Sequence, residues 1–224
     1  MSNEIVMEKL INKGAEANLI YGHWFGKEVI FKQRIRKGYR TEQIDEKLRL
    51  NRTLNEAKAL IRVKNYGVNV PQVYEIDTKN STIVMRYIKG DKLKEALNSI
   101  PNTKKVQYLK EVGKNISILH KNGHIHGDIT TSNVIITKSQ DIFIIDFGLH
   151  DYSDYIEDKS TDLHLFKRVL ISSHGNDFKI CFEAFLEGYR EGYGPEKIKE
   201  CEEIIKNITT IETRGRYVKK EDRA

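Results

Sequence analysis

Cysteine is nearly absent from this chain. Its 224 residues hold only Cys181 and Cys201, and the two are not spaced as a CxxC pair. That excludes a disulfide framework and a cysteine zinc site, and leaves two reduced thiols near C-terminal helices. Proline is also rare: there are three in the chain and none between 102 and 194. No apolar run is long enough to span a bilayer, and no N-terminal stretch has the apolar core of a signal peptide. The reading expects a soluble, intracellular, cytoplasmic protein with no membrane contact. Internal repeats and low-complexity linkers are missing too, and the length allows one large domain or two small lobes.

Charge, by contrast, is plentiful. Residues Asp, Glu, Lys and Arg make up 31% of the chain, and 38 basic against 32 acidic residues give a net charge of +6. The excess is unevenly placed. "KQRIRKGYR", 32–40, holds five basic residues and no acidic one, and "RGRYVKK", 214–220, holds four more. These are either solvated faces or contacts for the phosphates of a nucleotide or nucleic acid.

The pattern along the chain is strands with one helix, then helices around a small β-ribbon. "EVIFKQRI", 28–35, is rich in β-branched and aromatic residues and reads as a strand. Residues 41–67 read as a long charged helix stopping at Gly67, with Ile44, Leu48, Leu54, Ala57 and Leu60 or Ile61 near one face. Two strands, "VPQVYEID" and "STIVMRYI", follow, and 89–99 reads as a turn into a short helix. Residues 102–123 form an amphipathic helix with Val106, Leu109, Val112, Ile116 and Leu119 at helical spacing. Short strands around Val134–Ile136 and Phe143–Ile145 come next, and the chain after about 160 reads as helical, with Phe178, Cys181, Phe182, Phe185, Leu186 and Tyr189 as a core stripe. This is an α+β, two-lobed pattern with a hinge near 85–91.

The chemistry-bearing residues stand between those short strands. In "HGDITTSN", Asp128 and Asn133 are five residues apart, and Asp146 opens Asp-Phe-Gly thirteen residues later. An ordinary β-hairpin would give such a pattern only by accident. In phosphoryl transfer the protein mainly positions groups and neutralises charge: a lysine holds phosphates, magnesium bridges them, and a carboxylate orients the attacking oxygen. Asp128 would orient the nucleophile and accept its proton, and Asn133 and Asp146 would ligate magnesium through hard oxygens. Lys32, in "VIFK", ends a strand, and Glu56, mid-helix, is its expected partner, because an isolated cation in a cleft loses hydration. His126 is expected to pack under the loop rather than act as a base.

These motifs resemble a eukaryotic-type protein kinase reduced to a minimum, similar to RIO-like kinases. The chain specifically resembles the small atypical kinase/ATPase subunit of the KEOPS complex. The stretches that carry the likeness are "GAEA" at 14–17, "VIFKQRIRKGYR" at 29–40, "LRLNRTLNEAKAL" at 48–60, "HGDITTSN" at 126–133, "IDFGL" at 145–149, "EDKSTDLHLFKRVL" at 157–170 and "RGRYV" at 214–218. The fold implied is a minimal two-lobed protein-kinase-like α+β fold. It would have a β-rich N-lobe over 1–87, a mostly helical, shortened C-lobe over 88–212 and a basic tail over 213–224.

The function implied is an ATP- and magnesium-dependent non-specific serine/threonine protein kinase and ATPase, supporting threonylcarbamoyl modification of tRNA. ATP binding is assigned to Lys32, Glu56, Gly14, Ala15 and the hinge residues Met85, Tyr87 and Ile88. Catalysis falls to Asp128, the metal to Asn133 and Asp146, and tRNA or partner contact to Arg214, Arg216, Tyr217, Lys219 and Lys220. The implied partners are a threonylcarbamoyl transferase subunit, a small accessory subunit, and tRNA through the complex.

Departures from a full protein kinase matter. Gly14 stands alone where a glycine-rich loop would be, Thr130 replaces a lysine, Gly127 replaces an arginine, and Ala-Pro-Glu is missing. These losses remove protein-substrate recognition more than nucleotide binding. Asp162, in "STDLH", is expected to anchor the loop backbone. The alternatives are a catalytically weak scaffold that recruits tRNA and partner subunits, and a small-molecule kinase, for whose acceptor-binding insertions 224 residues leave no room.

Overall fold

The computed structural model describes residues 4–217, and for 215–217 the backbone alone. The chain divides into two compact units. One runs up to Lys89 and includes Asp146–Gly148; the other comprises Gly90–Ile145 and the residues from Leu149 onward.

The first unit is a five-stranded antiparallel sheet with one helix. Strands β1 (Ile5–Lys13), β2 (Ala17–Trp24), β3 (Lys27–Arg34), β4 (Val73–Asp77) and β5 (Thr82–Arg86) lie in the order β1-β2-β3-β5-β4. Phe25 and Gly26, both at positive φ, close the two-residue turn between β2 and β3. Val29, Phe31 and Val84 form the sheet's buried cluster, with Ile20, Trp24 and Tyr74 against it. The sequence reading had no strand at β1 or β2. Two register shifts in β1, between Met7 and Lys9 and between Leu10 and Asn12, break its two-residue alternation, and all nine residues are exposed.

Helix α1 (Glu42–Asn65) ends where Gly67 takes a φ of 86°. The apolar face read from its sequence is only half right. Ile44, Leu48 and Ile61 are exposed, whereas Asp45, Thr53, Glu56, Ala57, Ala59, Leu60 and Val63 are buried. Polar side chains occupy part of the inner face, so apolar spacing alone points in the wrong direction.

The second unit is mainly helical. Strand β6 (Gly90–Lys92), part of the segment expected as a turn, pairs with β8 (Val134–Thr137), which pairs with β9 (Ile142–Ile144). Gly90 permits the pairing, since a Cβ there would meet the Ile136 backbone. Helices α2 (Leu93–Ala96) and α3 (Asn102–Lys121) precede β7 (His124–Ile125), which pairs with β10 (Asp151–Tyr152). Helices α4 (Ile156–Ser173), α5 (Phe178–Tyr193) and α6 (Ile198–Tyr217) complete the unit.

Helices α3 and α5 pack closely because Gly113 meets the Phe185 carbonyl and Gly188 meets that of Lys110. Leu109, Val112, Ile116, Leu119, Cys181, Phe185 and Tyr189 are fully buried. Both cysteines are free and buried, and burial pushes the Cys181 thiol up to about 11. The order of elements is that of the minimal protein-kinase-like α+β fold. Among the described residues no helix is long and apolar enough to cross a membrane.

Candidate functional site

In the first unit a strand, a helix and the segment Asp146–Gly148 bring four charges together. Alternation along β3 puts Lys32 and Arg34 on one face, opposite Phe31. Glu56 comes from the inner face of α1. Lys32 Nζ donates to Glu56 Oε1 at 2.5 Å and to Asp146 Oδ1 at 2.7 Å, and Arg34 Nη2 donates to Glu56 Oε2 at 2.7 Å.

The side chains of Lys32, Arg34 and Glu56 are 7%, 4% and 1% exposed, whereas that of Asp146 is 46% exposed. Burial alone would lower the lysine's pKa; the carboxylates of Glu56 and Asp146 outweigh it and hold the ammonium above its usual value. Removing either partner from such a buried pair costs about 3–5 kcal/mol, because the other charge is left uncompensated. Asp146 sits at a φ of 64°, and its Oδ1 also accepts the Gly148 amide at 3.2 Å. Aspartate tolerates this left-handed region better than most residues.

In the second unit the loop after β7 is tied down from beneath. Asp162, on α4 and 2% exposed, accepts the amides of His126 at 2.9 Å and Gly127 at 3.0 Å, as expected from the sequence. His120 Nε2 also donates to Asp162, at 3.2 Å, while its Nδ1 lies 2.8 Å from the Tyr189 hydroxyl. Burial opposes ionisation of Asp162, but these hydrogen bonds and the neighbouring imidazoles win, and its pKa falls below the usual carboxylate range.

His126 is wholly buried. Its Nδ1 accepts the Asp128 amide at 3.2 Å, so Nε2 carries the proton and donates to the Ile145 carbonyl at 3.1 Å. It is therefore a strut under the loop. Gly127 has a φ of 79° and abuts the Leu149 carbonyl, so no side chain fits there.

Asp128 is half-buried, and Asn133 orients it. Asn133 Nδ2 donates to the Asp128 carbonyl at 2.9 Å and to its Oδ2 at 3.0 Å. With its amide nitrogen so engaged, Asn133 presents its oxygen as the hard donor. Thr131 and the carbonyl of Asn133 hold the same turn: Thr131 Oγ1 lies 3.3 Å from His174 Nε2, and the Ile145 amide donates to the Asn133 carbonyl at 2.9 Å.

Other expected residues are placed less favourably. Gly14 lies in the turn between β1 and β2, and its amide already donates to the Ala17 carbonyl at 3.0 Å. The Ala15 carbonyl accepts Lys37 Nζ. The Gly14 amide and the Ala15 carbonyl are thus both engaged. Met85 is half-buried in β5 and Ile88 is buried. Tyr87 donates its amide to the Glu28 carbonyl at 3.1 Å and sets its ring edge-on to Tyr21.

Helix α6 runs on through Gly215 to Tyr217, so the first residues expected as a tail are helical. Arg214 is paired with Glu157 at 2.9 Å, Arg216 and Tyr217 are described by their backbone alone, and Lys219 and Lys220 lie outside the described residues. The sequence reading missed Arg34 and His120. Arg34 had a signal: it stands two residues from Lys32 on a strand, and so on the same face.

Residues 26–155 match the model of the RIO domain. The chain is 46% identical over 215 residues to "KEOPS complex subunit Bud32" of Pyrococcus abyssi, covering 93% of this chain and 96% of that protein. It is 41% identical to a "Probable bifunctional tRNA threonylcarbamoyladenosine biosynthesis protein" of Methanosphaera stadtmanae, covering 94% of this chain but 37% of the relative. The namesake from Methanocaldococcus jannaschii is 40% identical over 95% of this chain and 38% of its own length. The chain therefore spans less than two fifths of these bifunctional relatives. It belongs to the RIO-domain family and, within it, to the family of KEOPS complex subunit Bud32.

Proposed function

We propose that this chain is an ATP- and magnesium-dependent atypical serine/threonine kinase and ATPase that works in a KEOPS complex during threonylcarbamoyl modification of tRNA. The observation that carries the reading is the buried Lys32–Glu56 pair with Asp146 on the same ammonium. A cation so costly to bury, held by two carboxylates of which one is nearly half exposed, suits a group that grips phosphate.

The donor set fits magnesium. Asp146 would offer a carboxylate and Asn133 an amide oxygen, both hard ligands of the kind that magnesium takes beside phosphate and water. When bound, magnesium neutralises the charge that develops on the transferred phosphoryl group. Asp128, with Asn133 fixing its Oδ2, orients the attacking hydroxyl or water and takes its proton. Lys32 holds the phosphates, Glu56 holds Lys32, and Met85, Tyr87 and Ile88 line the base. Gly14 and Ala15 would cover the phosphates.

The names of the relatives favour the KEOPS and tRNA part. The bifunctional relatives carry, beyond the portion matched here, more than as much chain again. We infer that this chain works with a threonylcarbamoyl transferase subunit and a small accessory subunit of KEOPS, with tRNA joining through the complex. The cytoplasm is the expected compartment.

The test is ATP turnover with and without magnesium and with a partner transferase, using Asp146→Ala as the control. Turnover should require magnesium and should fall at least about a hundredfold in the variant, the loss expected when a main transition-state charge stabiliser is removed. Near-normal turnover by Asp146→Ala at saturating magnesium would sink the assignment.

A further inference from the structure

The mechanism above gives Arg34 no task, yet Arg34 is among the most deeply buried charged residues, at 5% exposure. It shares Glu56 with Lys32, one carboxylate oxygen each. The same Nη2 lies 3.5 Å from the Arg52 carbonyl of α1, and Arg34 Nε is buried without a hydrogen-bond partner among the described residues. A buried arginine with an unsatisfied N–H is a poor choice for stability alone. A Cβ on Gly148 would lie 3.6 Å from Lys32 Nζ and 3.8 Å from Arg34 Nη2, so the glycine backbone comes close to both cations.

We propose that Arg34 is a positioning residue for Lys32: it holds Oε2 of Glu56 so that the carboxylate stays fixed and half-neutralised, leaving Lys32 charge to grip a phosphate. This rests on the reading of Lys32 as the phosphate-gripping group.

The charges explain why a second cation is needed. Lys32 alone would face the two carboxylates of Glu56 and Asp146, and the cluster would carry net negative charge, which repels phosphate. With Arg34 present, two cations meet two carboxylates. Once Asp146 turns to another positive partner, Lys32, Arg34 and Glu56 keep a net positive charge for an anion. Glu56 also remains anchored to β3 through Arg34 when Lys32 shifts toward a phosphate, so α1 does not depend on Lys32 for its attachment.

The experiment uses the full chain with neutral variants Arg34→Met and Arg34→Gln and the charge-retaining Arg34→Lys. The first readout needs no nucleotide. The rate at which an amine-reactive acylating reagent modifies Lys32 is measured at one pH by mass spectrometry on the folded protein. Glu56, deprived of its second cation, should hold Lys32 more firmly. Labelling should slow by about threefold or more in the neutral variants, where Glu56 is left to Lys32 alone, and should stay near wild type in Arg34→Lys. A residue that merely stabilised the fold would do the opposite, since loosening exposes Lys32 and speeds labelling.

The second readout is magnesium-ATP turnover. KM should rise about tenfold in the neutral variants, more than kcat falls, with recovery in Arg34→Lys. Neutral variants that label Lys32 at the wild-type rate or faster overturn the proposal. Loss of cooperative melting in both neutral variants overturns it as well, because Arg34 would then be an element of stability. If even the wild type turns over no ATP, the proposed function fails while the labelling result still decides the role of Arg34.

Discussion

Asp162→Asn tests how the loop over 126–133 is held. The change keeps size and shape and removes one acceptor oxygen and one charge. Asp162 Oδ2 serves the His126 amide and His120 Nε2, and Oδ1 serves the Gly127 amide. The asparagine does best with its carbonyl in the Oδ2 place, which turns its NH2 against the Gly127 N–H. One buried donor then lacks an acceptor, at about 1–3 kcal/mol, and the two bonds that remain lose their ionic character, at about 1 kcal/mol more. The expected loss is about 2–4 kcal/mol. For a chain of this size that is a fall in Tm of roughly 5–15 °C, measured by calorimetry or circular dichroism at pH 7.

The pH dependence follows from the lowered pKa of Asp162 in the folded chain. A carboxyl depressed on folding contributes its full stabilisation above its unfolded value, about 3.9, and loses it as pH falls through the lower folded value. The gap in Tm between wild type and variant should therefore be level from pH 7 to about 4 and shrink below that. A gap under about 2 °C at pH 7, or one that widens in acid, would refute the claim that this ionised carboxylate holds the loop.

Asp128→Asn should lower ATP turnover by about 10²–10⁴-fold while calorimetry finds nucleotide affinity little changed; affinity that collapses with the rate would give Asp128 another role. Because α6 continues to Tyr217, deletion should begin after it, removing residues 218–224 with Lys219 and Lys220. Tm and basal turnover should hold, while tRNA affinity drops and the slope of log affinity against log salt becomes shallower by somewhat less than one unit per lost phosphate contact; equal affinity and slope would reject tRNA contact by that segment.

What the sequence made legible was what depends on local rules. The inner stripe of α3, the glycine stop of α1 and the short strands around the loop follow from spacing and turn residues. Asp128 and Asn133 are close in sequence, so their meeting is nearly forced by the turn at Thr131–Asn133. Lys32 and Glu56 are 24 residues apart, yet each lay in a recognisable element, and the pair does form.

The rest was hidden for physical reasons. In β1 the irregular register scrambles the alternation that identifies a strand. In α1 the inner face includes Asp45, Thr53 and Glu56, because the helix holds charged partners as well as packing on the sheet. Arg34 looks like one more residue in a basic run; only the burial of its guanidinium on Glu56 sets it apart.

The replacement of arginine by Gly127 has a structural meaning beyond a lost contact. In a full protein kinase that arginine grips a phosphate added to the chain downstream, and the loop takes its working shape from the resulting ion pair. Here the backbone at 127 is left-handed and the Leu149 carbonyl fills the place of a Cβ, so an arginine would both strain the backbone and collide. The support is supplied from beneath instead. Asp162 binds two successive loop amides, His126 bridges the Asp128 amide to the Ile145 carbonyl, and His120 fixes Asp162 from α3. All these groups are buried or partly buried and belong to regular elements or to the loop itself. The shape of the loop is therefore built in with the fold.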